Sequence, residues 1–175
     1  MNGSLSKCGR PRRIIVMGGS FNPPTRAHLA LMQAAVDGLG AEVGYFIPTS
    51  RAYLKRKMRK SGDARMCLSE RTRYEMLSAM CAGNERLKWS DIEFGTVAAR
   101  SFDTMVALQA ENPDAELYFV IGADKLAMLS RWSLGGEFVR RFRYVVFGRG
   151  DTSQEWPEQT GSFVSLSPPD GVFGV

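Results

Sequence analysis

The chain has 175 residues, 44% of them hydrophobic and 23% charged, with a formal net charge of +5 at neutral pH. That balance excludes a disordered or fibrous protein and suits one globular domain with a full core. No apolar run approaches the ~20 residues of a membrane span, and the three cysteines show no C-x-x-C spacing, which argues against a disulfide framework or zinc site and for a reducing cytoplasm.

Residues 1–12 carry Lys7, Arg10 and Arg12 and read as a poorly ordered arm, with a single domain over 13–175. The apolar run behind the arm, Ile14-Ile15-Val16-Met17, is too short for a signal-peptide core and reads as a first strand. Gly18 and Gly19 follow, then a helical pattern of Leu29, Met32, Val36 and Leu39, stopped by Gly38 and Gly40. Residues 42–48 read as a strand covered on both faces. The stretch 49–65, rich in charge and poor in periodicity, reads as a loop. A helix is expected over 69–82, with Ser69 as cap and Tyr74, Leu77 and Cys81 as its apolar stripe. A strand over 86–92 and a helix over 96–110 come next, with Ser101 to Thr104 as its capped start, and then the strong strand 116–121 runs into Gly122-Ala123-Asp124. A helical stretch over 125–130, a strand over 143–147 ending at Gly148-Arg149, a polar loop and a short strand over 163–166 complete the order.

Alternating strands and helices with short connections call for a doubly wound α/β domain with a parallel sheet. Ligands of such sheets bind outside the carboxyl ends of the strands. Three strands end in glycine, at Gly18, Gly122 and Gly148, so the pattern places one site at a common edge. Glycines there let the backbone approach a ligand, and the following helix turns its free N–H groups and partial positive charge to the same spot. That arrangement holds a phosphate. His28, the only histidine, falls in the first turn of the helix, and Thr25 stands as its cap or as a hydroxyl for the ligand. The stretch has neither the G-x-G-x-x-G spacing nor the lysine of a P-loop.

Gly18-Gly19-Ser20-Phe21-Asn22-Pro23-Pro24-Thr25-Arg26-Ala27-His28-Leu29 resembles the (T/H)-x-x-H signature of the nucleotidyltransferases, most closely that of the nicotinate/nicotinamide mononucleotide adenylyltransferases. The resemblance implies a Rossmann-like nucleotidyltransferase fold and transfer of AMP from ATP to a pyridine mononucleotide, with pyrophosphate released, in NAD biosynthesis. Gly18, Gly19, Ser20, Phe21 and His28 would hold ATP, and Thr25 would assist. Ala27 stands where bacterial members usually have glycine.

Three further segments carry the likeness. Ala52-Tyr53-x-Lys55-Arg56 is similar to a family segment whose lysine meets substrate phosphate, which implies that role for Lys55, although Arg51 replaces an aspartate. Asp103-Thr104 matches a pair beside the pyridine ring, with Ser101 in place of an aromatic, so stacking would fall to Phe102 or Trp132. Gly122-Ala123-Asp124 with Leu126, Leu129 and Trp132 matches a segment in which the aspartate meets ribose and the tryptophan stacks on the pyridine. Gly148-Arg149 matches a strand end whose arginine approaches ATP phosphates.

The resemblance also implies Mg2+ bound through ATP phosphates, without a protein cage, and a second phosphate clamp, Ser-(Ser/Thr)-Thr-x-x-Arg, after a short strand like 171–175; the domain either lacks it or carries it beyond Val175. Trp89 and Trp156 are expected as packing residues. The net charge fits small anionic substrates and nucleic acid equally well; the resemblance favours ATP and a pyridine mononucleotide over nucleic acid, and a homo-oligomer is compatible with the sequence. The rivals are a pantetheine-phosphate adenylyltransferase, which shares the Thr-x-x-His form, and a nucleotide- or RNA-binding protein of the same fold, which the basic run favours.

Overall fold

The computed structural model describes residues 11–94, 100–126, 128–131, 135–148 and 163–172. Six strands form one sheet: β1 (Arg12–Gly19), β2 (Val43–Pro48), β3 (Leu87–Trp89), β4 (Ala115–Gly122), β5 (Arg143–Phe147) and β6 (Phe163–Leu166). Their order is β3-β2-β1-β4-β5-β6, and every neighbouring pair is parallel. The chain winds outward from β1 in one direction and from β4 in the other. The order therefore reverses between β1 and β4, where a doubly wound sheet opens a crevice at its carboxyl edge.

The helices are α1 (Arg26–Gly38), α2 (Arg51–Ser61), α3 (Glu70–Cys81), α4 (Ser101–Glu111), α5 (Ala123–Leu126) and α6 (Gly135–Arg141), with a 3-10 turn at Leu129–Arg131. Side chains alternate across a strand. Ile15 and Met17 pack with Met32, Ala35 and Val36 of α1 and Leu77 of α3. Ile14 and Val16 pack with Met105 and Leu108 of α4 and Phe138 of α6. Both faces of β1 are thus covered, which is why it reads as a continuous apolar run. Among the described residues, no helix is long and apolar enough to cross a membrane.

The structure departs from the sequence reading in several places. The expected loop over 49–65 holds α2, whose N-cap Ser50 accepts from the Tyr53 N–H and whose C-cap Gly62 is left-handed. Only Leu54 and Met58, four apart, seat it on the core, too few to show as a period amid six basic residues. In α3, Arg73 rather than Tyr74 joins Leu77 on the buried face; Tyr74 is exposed, edge-on to Trp89 at 4.4 Å. β3 shrinks to Leu87–Trp89. The helix expected over 96–110 is described from Ser101, with Arg100 as its N-cap and no side-chain cap bond. Asp103 instead pairs with the Arg100 guanidinium at 2.6 Å. Residues 1–10 and Trp156 lie outside the described residues, and Arg12 already belongs to β1.

Gly44 fixes how closely α1 lies on the sheet. A Cβ there would stand 2.5 Å from Met32 Sδ and 2.8 Å from Val36 Cγ2. Gly44→Ala should therefore destabilise the fold by about 1–3 kcal/mol through overpacking. Urea unfolding should show a lower midpoint at unchanged slope; an unchanged midpoint would mean that α1 lifts off without loss.

Candidate active site

At the carboxyl end of β1 the chain turns through Ser20 to Pro24 into α1. Phe21 is left-handed, with φ of 42°, a strained choice for a bulky residue. Packing of its ring offsets that strain. The ring is 2% exposed and lies edge-on to His28 at 5.0 Å and to Phe46 at 5.7 Å. It also lies under Gly19, where a Cβ would come within 3.1 Å of it. Asn22 ties the loop outward: its Oδ1 accepts from the Leu68 N–H at 2.9 Å and its Nδ2 donates to the Met66 carbonyl at 3.0 Å.

Thr25 is the N-cap of α1, and with His28 it forms a reciprocal capping box. The His28 N–H donates to Thr25 Oγ1, while the Thr25 backbone N–H donates to His28 Nδ1 at 3.0 Å. An N–H needs an acceptor, so Nδ1 carries no proton and the neutral ring bears it on Nε2. Burial pushes the His28 pKa below its ordinary value and favours this neutral form. The ring therefore offers one fixed donor, Nε2–H, at a helix N-terminus whose first N–H groups lack intrahelical partners.

A cavity of about 730 Å³ opens beside the loop, at the carboxyl ends of β1 and β4. Gly18, Gly19, Ser20 and Gly122 line it, whereas Thr25, Phe21 and His28 are not among its lining residues. Gly148 ends β5 but is not in the lining. The cavity is basic: among the described residues, Lys57, Lys60, Arg100, Lys125 and Arg131 line it against one carboxyl, that of Glu93. Glu93 is 6% exposed and accepts from Thr104 Oγ1 at 2.7 Å. Burial raises its pKa, against a smaller lowering from that hydroxyl. Thr104, itself buried, thus braces Glu93 rather than facing the cavity, and Ser101 and Phe102 form the wall above it.

On α2, Tyr53, Lys57 and Lys60 share one face at spacings of four and three and line the cavity. Lys57 Nζ donates to Ser20 Oγ at 3.3 Å. Lys55 lies ~160° round the helix from Lys57; it is exposed and outside the lining. Asp124 sits in α5, at the carboxyl end of β4. Trp132 and Arg149 lie outside the described residues.

The sequence reading did not single out Lys57, Glu93, Arg73 or Thr49. Lys57 was hidden because a supposed loop has no faces. Thr49 lines the cavity with a buried Oγ1 that has no partner among the described residues, and nothing in its sequence context marks it.

These features define a doubly wound α/β protein with a glycine loop beside a basic crevice. A family model described as cytidylyltransferase-like matches residues 16–166. The chain is 34% identical over 142 residues to the "Probable nicotinate-nucleotide adenylyltransferase" of Mycolicibacterium vanbaalenii, covering 80% of this chain and 63% of that one. It is 31% identical over 135 residues to the "Probable nicotinate-nucleotide adenylyltransferase/Ap4A hydrolase" of Mycoplasma pneumoniae, covering 77% of this chain and 37% of that one. It thus spans less than two thirds of the length of either relative. The Plasmodium falciparum nicotinic acid mononucleotide adenylyltransferase complexed with NaAD shares the fold, with a TM-score of 0.73 at 16% identity over 90% of this chain and 76% of that one. The chain belongs to the cytidylyltransferase-like family and, within it, to the nicotinate/nicotinamide mononucleotide adenylyltransferases.

The capping box has a consequence for pH. With the folded pKa of His28 below the ordinary 6.5, the unfolded chain binds the proton more readily. Stability from this group is present above pH 6.5 and is lost as pH falls through that value. The single histidine Cε1–H resonance should titrate with a midpoint below 6.5. His28→Gln keeps a capping-box side chain and should flatten the loss of stability on acidification; a midpoint at or above 6.5 would contradict the assigned Nδ1 acceptor.

Proposed function

We propose that the chain transfers the adenylyl group of ATP to nicotinate mononucleotide. A phosphate oxygen of the mononucleotide attacks the α-phosphorus, the bond to the β-phosphate oxygen breaks, and pyrophosphate leaves with the electron pair. The attacking phosphate is already ionised, so the protein needs no strong base. It has to position the two substrates and neutralise charge on the transferring phosphorus and the leaving group. The observation that carries the reading is the reciprocal capping box that holds His28 at the N-terminus of α1, the helix that follows Gly18 to Ser20.

Nε2–H of His28 donates to an ATP phosphate oxygen without adding a titrating charge. The loop and the first turn of α1 hold the triphosphate, and Lys57 and Lys60 face it from α2. Asp124, in α5 directly after β4, takes the ribose in this reading. Arg100, Ser101 and Phe102 form the mononucleotide end, with Glu93 held by Thr104 below them. The net positive lining and the names of the relatives favour the nicotinate over the nicotinamide substrate. Magnesium enters as part of the substrate Mg·ATP. Among the described residues, no group of three or more His, Cys, Asp or Glu could hold it. The half-buried free thiols Cys67 and Cys81 suit the cytoplasm.

The test is product detection with ATP and each pyridine mononucleotide in turn. Dinucleotide and pyrophosphate in equal amounts support the reading; no product with either mononucleotide sinks it. His28→Ala should cost about 100- to 1,000-fold in kcat with the fold intact, as for loss of one fixed donor to a transition-state oxyanion. Lys57→Ala should lower kcat/KM for ATP by roughly tenfold or more, and Lys55→Ala by less, as expected for loss of one charge-assisted contact.

A further inference from the structure

Arg73 is the largest fully buried side chain among the described residues, at 0% exposure. It sits on the inner face of α3, one turn before Leu77. Its Nη1 donates to the Ser20 carbonyl at 2.9 Å, and its guanidinium carbon lies 5.6 Å from the centre of the Phe94 ring. Nε and Nη2 are buried without a hydrogen-bond partner. None of the ion pairs among the described residues includes Arg73. Burial lowers its pKa, opposed by Glu70, while the like charge of Arg51 lowers it further.

A buried cation without a carboxylate is costly, and an apolar side chain of similar length would fill the space without that cost. Its placement shows what it does. A trans peptide is planar, with its C=O and N–H pointing in opposite directions. Gripping the Ser20 oxygen from the α3 side therefore turns the N–H of the same peptide, that of Phe21, away from Arg73. The Phe21 N–H thus lies on the side of the loop opposite α3, next to Ser20, which lines the cavity as Arg73 does not. The same guanidinium packs on Phe94, next to Glu93 on the opposite wall.

We propose that Arg73 is the positioning residue for the ATP triphosphate. It sets the Ser20–Phe21 peptide so that its N–H faces a phosphate oxygen, and it places a buried positive charge behind that donor. Its contact with Phe94 links the loop to the mononucleotide wall. The proposal rests on the reading that Gly18 to Ser20 hold the triphosphate.

Arg73→Met, Arg73→Lys and Arg73→Gln test it, with kcat and KM for each substrate referred to the folded fraction. Arg73→Met should lose roughly ten- to a hundredfold in kcat/KM for ATP. Arg73→Lys, which keeps the charge and a donor, should recover most of that loss, and Arg73→Gln, which keeps only a donor, should recover less. A purely structural arginine would lower the melting temperature and leave kcat/KM per folded molecule at the wild-type value, and that result overturns the proposal. If the variants do not fold, the wild type decides: the Arg73 Nε–H and Phe21 amide signals should both shift when a non-hydrolysable ATP analogue is added, and unmoved signals overturn it. The two readings fail separately. A wild type that makes no dinucleotide, with analogue affinity still dependent on Arg73, removes the reaction and leaves the positioning role standing.

Discussion

One hydrogen bond decides what the glycine loop of this protein can do: the Thr25 backbone N–H pointed at His28 Nδ1. A histidine left free at a helix start would exchange tautomers and protonate near neutral pH. Here the donor favours the tautomer with its proton on Nε2, and burial lowers the pKa of the ring, which lies edge-on to Phe21. The bond also caps α1, so the group that points Nε2 is the group that starts the helix. Helix, imidazole and loop are therefore one rigid unit resting on the Phe21 ring. That ring can lie under Gly19 only because no Cβ stands there.

The parts of the molecule legible in its sequence were those with strong local signals. β1 and β4 announced themselves by apolar runs ending in glycine, and α1 by a stripe of Met32, Val36 and Leu39, all of them buried. Thr25 and His28 stood at a spacing that implies a cap, and the structure draws the cap reciprocally. α2 was illegible for an equally physical reason: a helix seated by two side chains and solvated by basic ones has no period to detect. Arg73 was illegible because an arginine on an apolar face looks like the polar edge of the stripe. Only the tertiary contact with the Ser20 carbonyl shows it inside. Glu93 and Thr104 are eleven residues apart and share no element, so their bond had no local trace.

Sequence order hides a division of labour in the site. The loop comes from the β1–α1 turn, but the groups that hold it come from the segment between β2 and β3. Lys57 of α2 reaches Ser20 Oγ, Arg73 of α3 reaches the Ser20 carbonyl, and the backbone at Met66 and Leu68 clasps Asn22. That segment is anchored unevenly. α3 is seated by Arg73 and Leu77 and α2 by Leu54 and Met58, but α3 also packs against β3. Elements with few buried contacts open at low free-energy cost. α2 carries Lys57 and Lys60 of the cavity lining on its inner face, and like charges gathered near Arg131 and Lys125 oppose its seating. In the proposed reaction a triphosphate between them would offset that repulsion, so the same charges that loosen α2 would draw it to a bound ligand.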